Sequence, residues 1–110
     1  MTVSFELMGQ EFVALNGGPE YSFNQAISFQ IMCESQEEVD RYWQQLTADG
    51  GVEGPCGWLN DRFGVPWQVV PRALPELLQQ QDAEKAQRVM QAMLGMRKIE
   101  IGELERAAAA

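Results

Sequence analysis

Between Ala26 and Ala48 the hydrophobic period changes from two residues to about 3.6, and the change falls on one motif, Ser35-Gln36-Glu37-Glu38. Upstream, Ile27, Phe29 and Ile31 alternate with Ala26, Ser28, Gln30 and Met32, the pattern of a half-buried strand. Ser35 with Glu38 forms a capping box, in which the serine caps the first turn and the glutamate reaches back. Val39, Tyr42, Trp43 and Leu46 then continue at helical spacing until Asp49-Gly50-Gly51 stops the run. A strand feeding directly into an amphipathic helix over residues 35–48 leaves few architectures for a short chain. The helix must cover a sheet, so strands are needed on either side of it in sequence.

Those strands are legible. Val3 to Leu7 alternates, Gly9-Gln10 offers a two-residue turn, and Glu11 to Leu15 returns, which predicts a β-hairpin closed by Asn16-Gly17-Gly18-Pro19. After the helix come the Gly54-Pro55-Cys56-Gly57 loop, a strand over 57–61, a turn at Arg62-Phe63-Gly64, and a strand over 66–70. Leu74 to Gln80 predicts a short helix. Asp82 caps a longer one with Ala83, Ala86, Val89, Met90, Met93 and Leu94 on its apolar stripe. A last helix follows near Gly102–Ala107. The order is ββ-βαββ-ααα, an α+β fold with a mixed, mainly antiparallel sheet and room for one more strand in its central unit. No linker divides the 110 residues, so one domain spans 1–110: a hairpin over 1–18, a central unit over 24–71 and C-terminal helices over 72–110.

Composition narrows the chemistry. The chain has no histidine, which removes Ser-His-Asp and Cys-His catalysis and histidine metal ligation. A net charge of −8, with eight scattered Lys and Arg residues, argues against nucleic-acid binding. Cys33 and Cys56 lack CxxC spacing and are expected as free thiols in a cytosolic protein. No apolar run approaches the roughly 18 residues of a membrane span, and the N-terminus lacks the basic and apolar regions of a signal peptide. A cytoplasmic protein with no membrane and no nucleic-acid partner is expected.

Two segments carry a family resemblance: Phe12-Val13-Ala14-Leu15-Asn16-Gly17-Gly18-Pro19, and the stretch from Asn24 through Glu37-Glu38-Val39-Asp40-Arg41-Tyr42-Trp43 to Gly54–Pro71. Asp61-Arg62-Phe63-Gly64-Val65-Pro66-Trp67-Gln68 is its most specific part. The chain resembles the bacterial PhnB-like branch of the vicinal-oxygen-chelate (glyoxalase, bleomycin-resistance and dioxygenase) superfamily over residues 3–104. Many such proteins carry a demethylubiquinone methyltransferase label.

The resemblance implies paired βαβββ modules that curl a sheet around a cavity. Residues 24–71 match a second module, and residues 1–18 match the end of a first module that is otherwise truncated. Either the chain is a fragment or short gene product, or a partner chain completes the barrel; open sheet edges are a liability, so a homodimer is the expected arrangement. Metal-dependent relatives place ligands at positions that fall near Phe12, at Ala26 and at Gln68. None of these is a strong divalent ligand, so no metal and no cofactor is expected. No Gly-rich strand-to-helix loop is present to cradle a nucleotide-like cofactor, so methyl transfer from S-adenosylmethionine is not expected either.

Ser28, Gln30, Trp58 and Gln68 are the expected ligand-binding residues, lining the concave sheet face. Alternation alone would leave Ser28, Gln30 and Gln68 merely facing solvent, and Trp58 would equally suit a core. Asp61 and Arg62 are expected to fix a turn, Cys56 to sit unactivated in its loop, and Met90, Met93 and Met96 to form a packing or dimer surface. No catalytic residue is assigned. The expected function is binding of a small organic molecule, with a metal-dependent glyoxalase- or dioxygenase-like enzyme and a non-catalytic dimeric interaction module as alternatives.

Overall fold

A computed structural model describes residues 1–110. The elements are β1 (Thr2–Leu7), β2 (Gln10–Leu15), β3 (Phe29–Cys33), α1 (Gln36–Thr47), β4 (Val52–Glu53), β5 (Trp58–Asn60), β6 (Pro66–Pro71), α2 (Ala73–Leu78), α3 (Ala83–Leu94) and α4 (Ile101–Ala109). β3-α1-β4-β5-β6 is a βαβββ unit, and its extra strand is the two-residue β4. Its sheet runs β3-β6-β5-β4, with β3 parallel to β6 and the other neighbours antiparallel. The α+β class with a mixed sheet is therefore the observed one, and the sheet does not close into a barrel.

Successive side chains of a strand point to opposite faces, and β6 uses both. Val69 packs with Cys33, Val39, Trp43 and Leu59 beneath α1. Val70, one residue on, packs with Leu74, Val89 and Leu104 from the C-terminal helices and with Met96 and Ile99 from the loop between α3 and α4. The central sheet is thus covered by α1 on one face and partly by α2–α4 on the other.

Local chemistry explains the element boundaries. Ser35 Oγ accepts the Glu38 backbone N–H at 3.2 Å. Glu38 reaches back one residue further than the capping box predicts and accepts from Glu34 N. Asp82 accepts from the N–H groups of Glu84 and Lys85, as its cap position predicts. Gln36 joins the two halves of the body: its Oε1 accepts from Ile101 N at 2.7 Å and its Nε2 donates to Ile99 O at 3.0 Å.

Some expectations change. The hairpin turns at Met8-Gly9, both with positive φ, rather than at Gly9-Gln10. Leu7 then pairs with Gln10 and Phe5 with Phe12, the register of a two-residue primed turn. β3 starts at Phe29, three residues later than the alternation from Ala26 predicts. Asn24 Oδ1 holds the Ala26 N–H at 2.9 Å in a local turn, so the backbone there is not free to join the ladder. On α3, Val89 is buried, whereas Met90 and Leu94 are exposed, so the apolar stripe is narrower than its sequence. Met96 is buried and Met93 packs on the same core, so these methionines fill the interior rather than make an exposed patch.

β1 and β2 form a separate two-stranded sheet. With it the molecule measures 54 × 27 × 24 Å and has a radius of gyration of 16.4 Å. About 13 Å is usual for a chain of this length, so the hairpin stands out as an arm.

Candidate functional site

The register of the central sheet assembles the site. Gln30 on β3 is the partner of Gln68 on β6, and Gln68 is the partner of Trp58 on β5. Three of the four expected ligand-binding residues thus lie in one row across three strands, on the face opposite α1. They form the floor of a cleft of about 390 Å³. Leu74, Leu78 and Met93 from α2 and α3 wall one side, and Cys56 stands at the rim. The fourth residue, Ser28, does not line this cleft. Its hydroxyl accepts from Gln68 Nε2 at 2.9 Å, so it acts on the site through Gln68.

None of the ten cleft residues carries a formal charge at neutral pH. The floor offers two carboxamides and an indole, and the walls are aliphatic and thioether groups. Such a surface can present hydrogen-bond donors and acceptors to a neutral, flat molecule and cover its faces with apolar atoms. A second hollow of about 290 Å³ lies on the other side of Trp58, where Gln25 donates to Asn60 Oδ1 at 3.3 Å. Trp58 borders both hollows.

The loop carrying Cys56 is fixed from below. Cys56 N donates to Met96 O at 2.8 Å and Gly57 N to Arg97 O at 2.7 Å, while Gly57 O accepts from Val69 N. Both cysteines are free. Burial, and then the Glu38 charge, push the Cys33 thiol above its ordinary range. Asp61 fixes the turn before β6, as expected: Oδ1 accepts from Phe63 N and Val65 N, and Oδ2 from Trp67 Nε1. Arg62 lies over the Phe63 ring and 3.8 Å from Asp49. No group of three or more Cys, Asp or Glu residues is placed to hold a metal ion.

The contribution of α2 and α3 to the walls, and of Cys56 to the rim, has no clear signal in the sequence. Only the apolar side chains of the short 73–78 helix hint at it, and they would serve equally as core.

The βαβββ sheet, with a carboxamide-floored cleft on the face away from its helix, defines a small α+β fold with a mixed sheet. Residues 1–70 match the 3-demethylubiquinone-9 3-methyltransferase family, and the chain belongs to that PhnB-like family. It is similar to the solved PhnB protein of Bacillus cereus, which is named for the same methyltransferase activity. That similarity has 30% identity and a TM-score of 0.55, and covers 64% of each chain. The match thus spans somewhat less than two thirds of that protein. No curated protein matches the chain.

Proposed function

We propose that this protein is a cytosolic binding protein for a small, uncharged, planar organic molecule, seated in the cleft floored by Gln30, Gln68 and Trp58. The single observation that carries this reading is the cross-strand row of two carboxamides and an indole in a cleft without charged groups. A neutral ring bearing carbonyl or hydroxyl oxygens would hydrogen-bond the glutamines and lie against Trp58. The demethylubiquinone named for relatives has such a ring. The methyl donor S-adenosylmethionine is different: its carboxylate and ammonium groups would find no ionic partner in the cleft, and burying them unpaired is costly. Binding, rather than methyl transfer, is therefore the function proposed. The metal-dependent alternative has no ligand cluster behind it.

Calorimetric titration of a panel of neutral quinones and hydroxyaromatics, with S-adenosylmethionine alongside, tests this. Neutral ring compounds should bind, and Gln68→Ala should weaken them about tenfold, the cost of one lost hydrogen bond. The reading fails if only charged compounds bind, or if Gln68→Ala changes nothing while the fold is kept.

A further inference from the structure

The cleft is polar at one end and apolar at the other. Its floor begins with the row of Gln30, Gln68 and Trp58; two residues further along the strands, Met32 stands beside Val70 on the same face. Same-face residues of a strand are about 7 Å apart, roughly the width of an aromatic ring. A ring hydrogen-bonded to the glutamines therefore uses up the polar row. Any group on its far edge lies on Met32 and Val70, against Leu74, Leu78 and Met93.

The apolar end continues out of the cleft along α3. Side chains three and four residues apart share a helix face, so Ala86, Met90 and Leu94 form one row with Met93 beside it. Arg88 donates to Ala107 O and Ala108 O, which puts α4 on its flank of the helix. At 3.6 residues a turn, the order around α3 runs from Arg88 through buried Val89 and cleft-lining Met93 to Met90 and then Leu94. The row thus leaves the cleft on the side away from α4. Met90 is 40% exposed and Leu94 61%.

We propose that the ligand of the cleft carries an alkyl side chain on the ring edge away from Gln30 and Gln68, and that Met90 and Leu94 form the track on which this chain leaves. The track presupposes the ring-binding reading of the same cleft. About five carbons are enough to cross from Met93 to Met90, one helical turn of about 5.4 Å. The row suits a flexible chain better than a protein. Its two bare large side chains fall far short of the roughly 20–30 residues a side in a standard interface. It is continuous with the cleft, it carries no charge, and methionine adapts to irregular apolar groups.

Calorimetric titration with para-methyl-, para-propyl-, para-pentyl- and para-heptylphenol tests the track. Affinity should rise about twofold per carbon, half the free energy of complete methylene burial, and level off after pentyl. Met90→Gln combined with Leu94→Gln changes two exposed positions to another good helix former. The pair should flatten the rise and leave both para-methylphenol affinity and circular dichroism unchanged. A flat series in the wild type, with para-methylphenol still bound, overturns the track and leaves the ring reading standing. Absence of binding across the whole series, para-methylphenol included, overturns both. A rise that survives the paired substitution overturns the track, and its loss in Val52→Gln would send the chain to the hollow on the other side of Trp58. Sedimentation velocity on the same samples covers the remaining occupant. A wild-type dimer that dissociates in the paired variant would make the row a contact between copies, and overturns the track.

Discussion

Gln68 Nε2 donates to Ser28 Oγ at 2.9 Å, joining two residues 40 positions apart. The bond ties the floor of the cleft to the segment that leads into β3, and it holds one donor of the Gln68 amide in place. Gln30, its cross-strand partner, makes no side-chain hydrogen bond within the chain. One carboxamide is thus set and its neighbour is free to adjust to a ligand.

Ser28→Ala removes that restraint without touching the cleft lining. The expected cost is about 1 kcal/mol of stability, together with a several-fold loss of affinity for a neutral ring ligand, smaller than the loss in Gln68→Ala. Urea unfolding and calorimetry on the same samples separate the two effects. Equal affinity losses in the two variants would mean that Ser28 contacts the ligand itself. No loss in Ser28→Ala would remove its positioning role.

Gln36 makes a different kind of bridge. Its side chain takes up one N–H and one carbonyl at the start of α4, and also donates to Asp40 at 2.9 Å. Gln36→Ala leaves both backbone groups without these partners beside fully buried Ile99 and Leu104. A loss of about 1–3 kcal/mol is expected, the usual cost of stranding partly buried polar groups. Hydrogen exchange should quicken first at Ile101 and Leu104. Uniform quickening across β3 and β6 would mean that the bridge holds the whole fold rather than the docking of α4.

Much of this architecture is legible in the sequence because its signals are local. Ser35 and Asp82 cap their helices as their spacing predicts, and Asp61 fixes its turn. The family resemblance put Gln30, Gln68 and Trp58 on the concave sheet face, whereas alternation alone left the two glutamines facing solvent and Trp58 equally suited to a core; the register that sets the three in one row was not predicted. What escaped depended on partners distant in sequence. β4 is two residues long and exists only through pairing with β5. The late start of β3 depends on a side-chain turn at Asn24 that competes with the strand. The walls of the cleft come from how α2 and α3 return to the sheet, a tertiary outcome that no periodicity records.

The two cysteines should differ in reactivity. Cys33 is fully buried, and its thiol is pushed upward by burial and then by Glu38. In the native protein a disulfide reagent should modify Cys56 promptly and Cys33 only on unfolding. The raised thiol also sets a pH slope. The folded state holds the Cys33 proton longer than the unfolded chain does, so this stability is complete below the ordinary thiol range and declines as pH rises through it. Cys33→Ala should flatten that alkaline slope. At the acid end the sign reverses. Hydrogen bonds from Lys98 and then Gln36 hold the Asp40 carboxyl below its usual range, so its contribution is present above the ordinary carboxylate range and fades as pH falls. Asp40 is half exposed, so that contribution should be only a few tenths of a kcal/mol. Unfolding curves across pH, with and without each substitution, check both slopes.

Gly57 and Gly64 have nearly the same positive φ, 85° and 86°, but different surroundings. A Cβ on Gly57 would lie 2.9 Å from Val69 O and 3.1 Å from Ile99 Cγ1, whereas one on Gly64 meets nothing within 4 Å. Both alanine variants incur the left-handed backbone penalty, about 1–2 kcal/mol. Only Gly57→Ala must also push β6 away from the loop whose backbone it bonds, and overpacking of this kind adds about 1–3 kcal/mol. Gly57→Ala should therefore be clearly the less stable in urea, and it should also disturb Cys56 at the rim of the cleft, raising the thiol's exposure to reagent. Equal losses from the two substitutions would show that the loop yields freely, and that Cys56 is not held against the sheet by the contact between Gly57 and Val69.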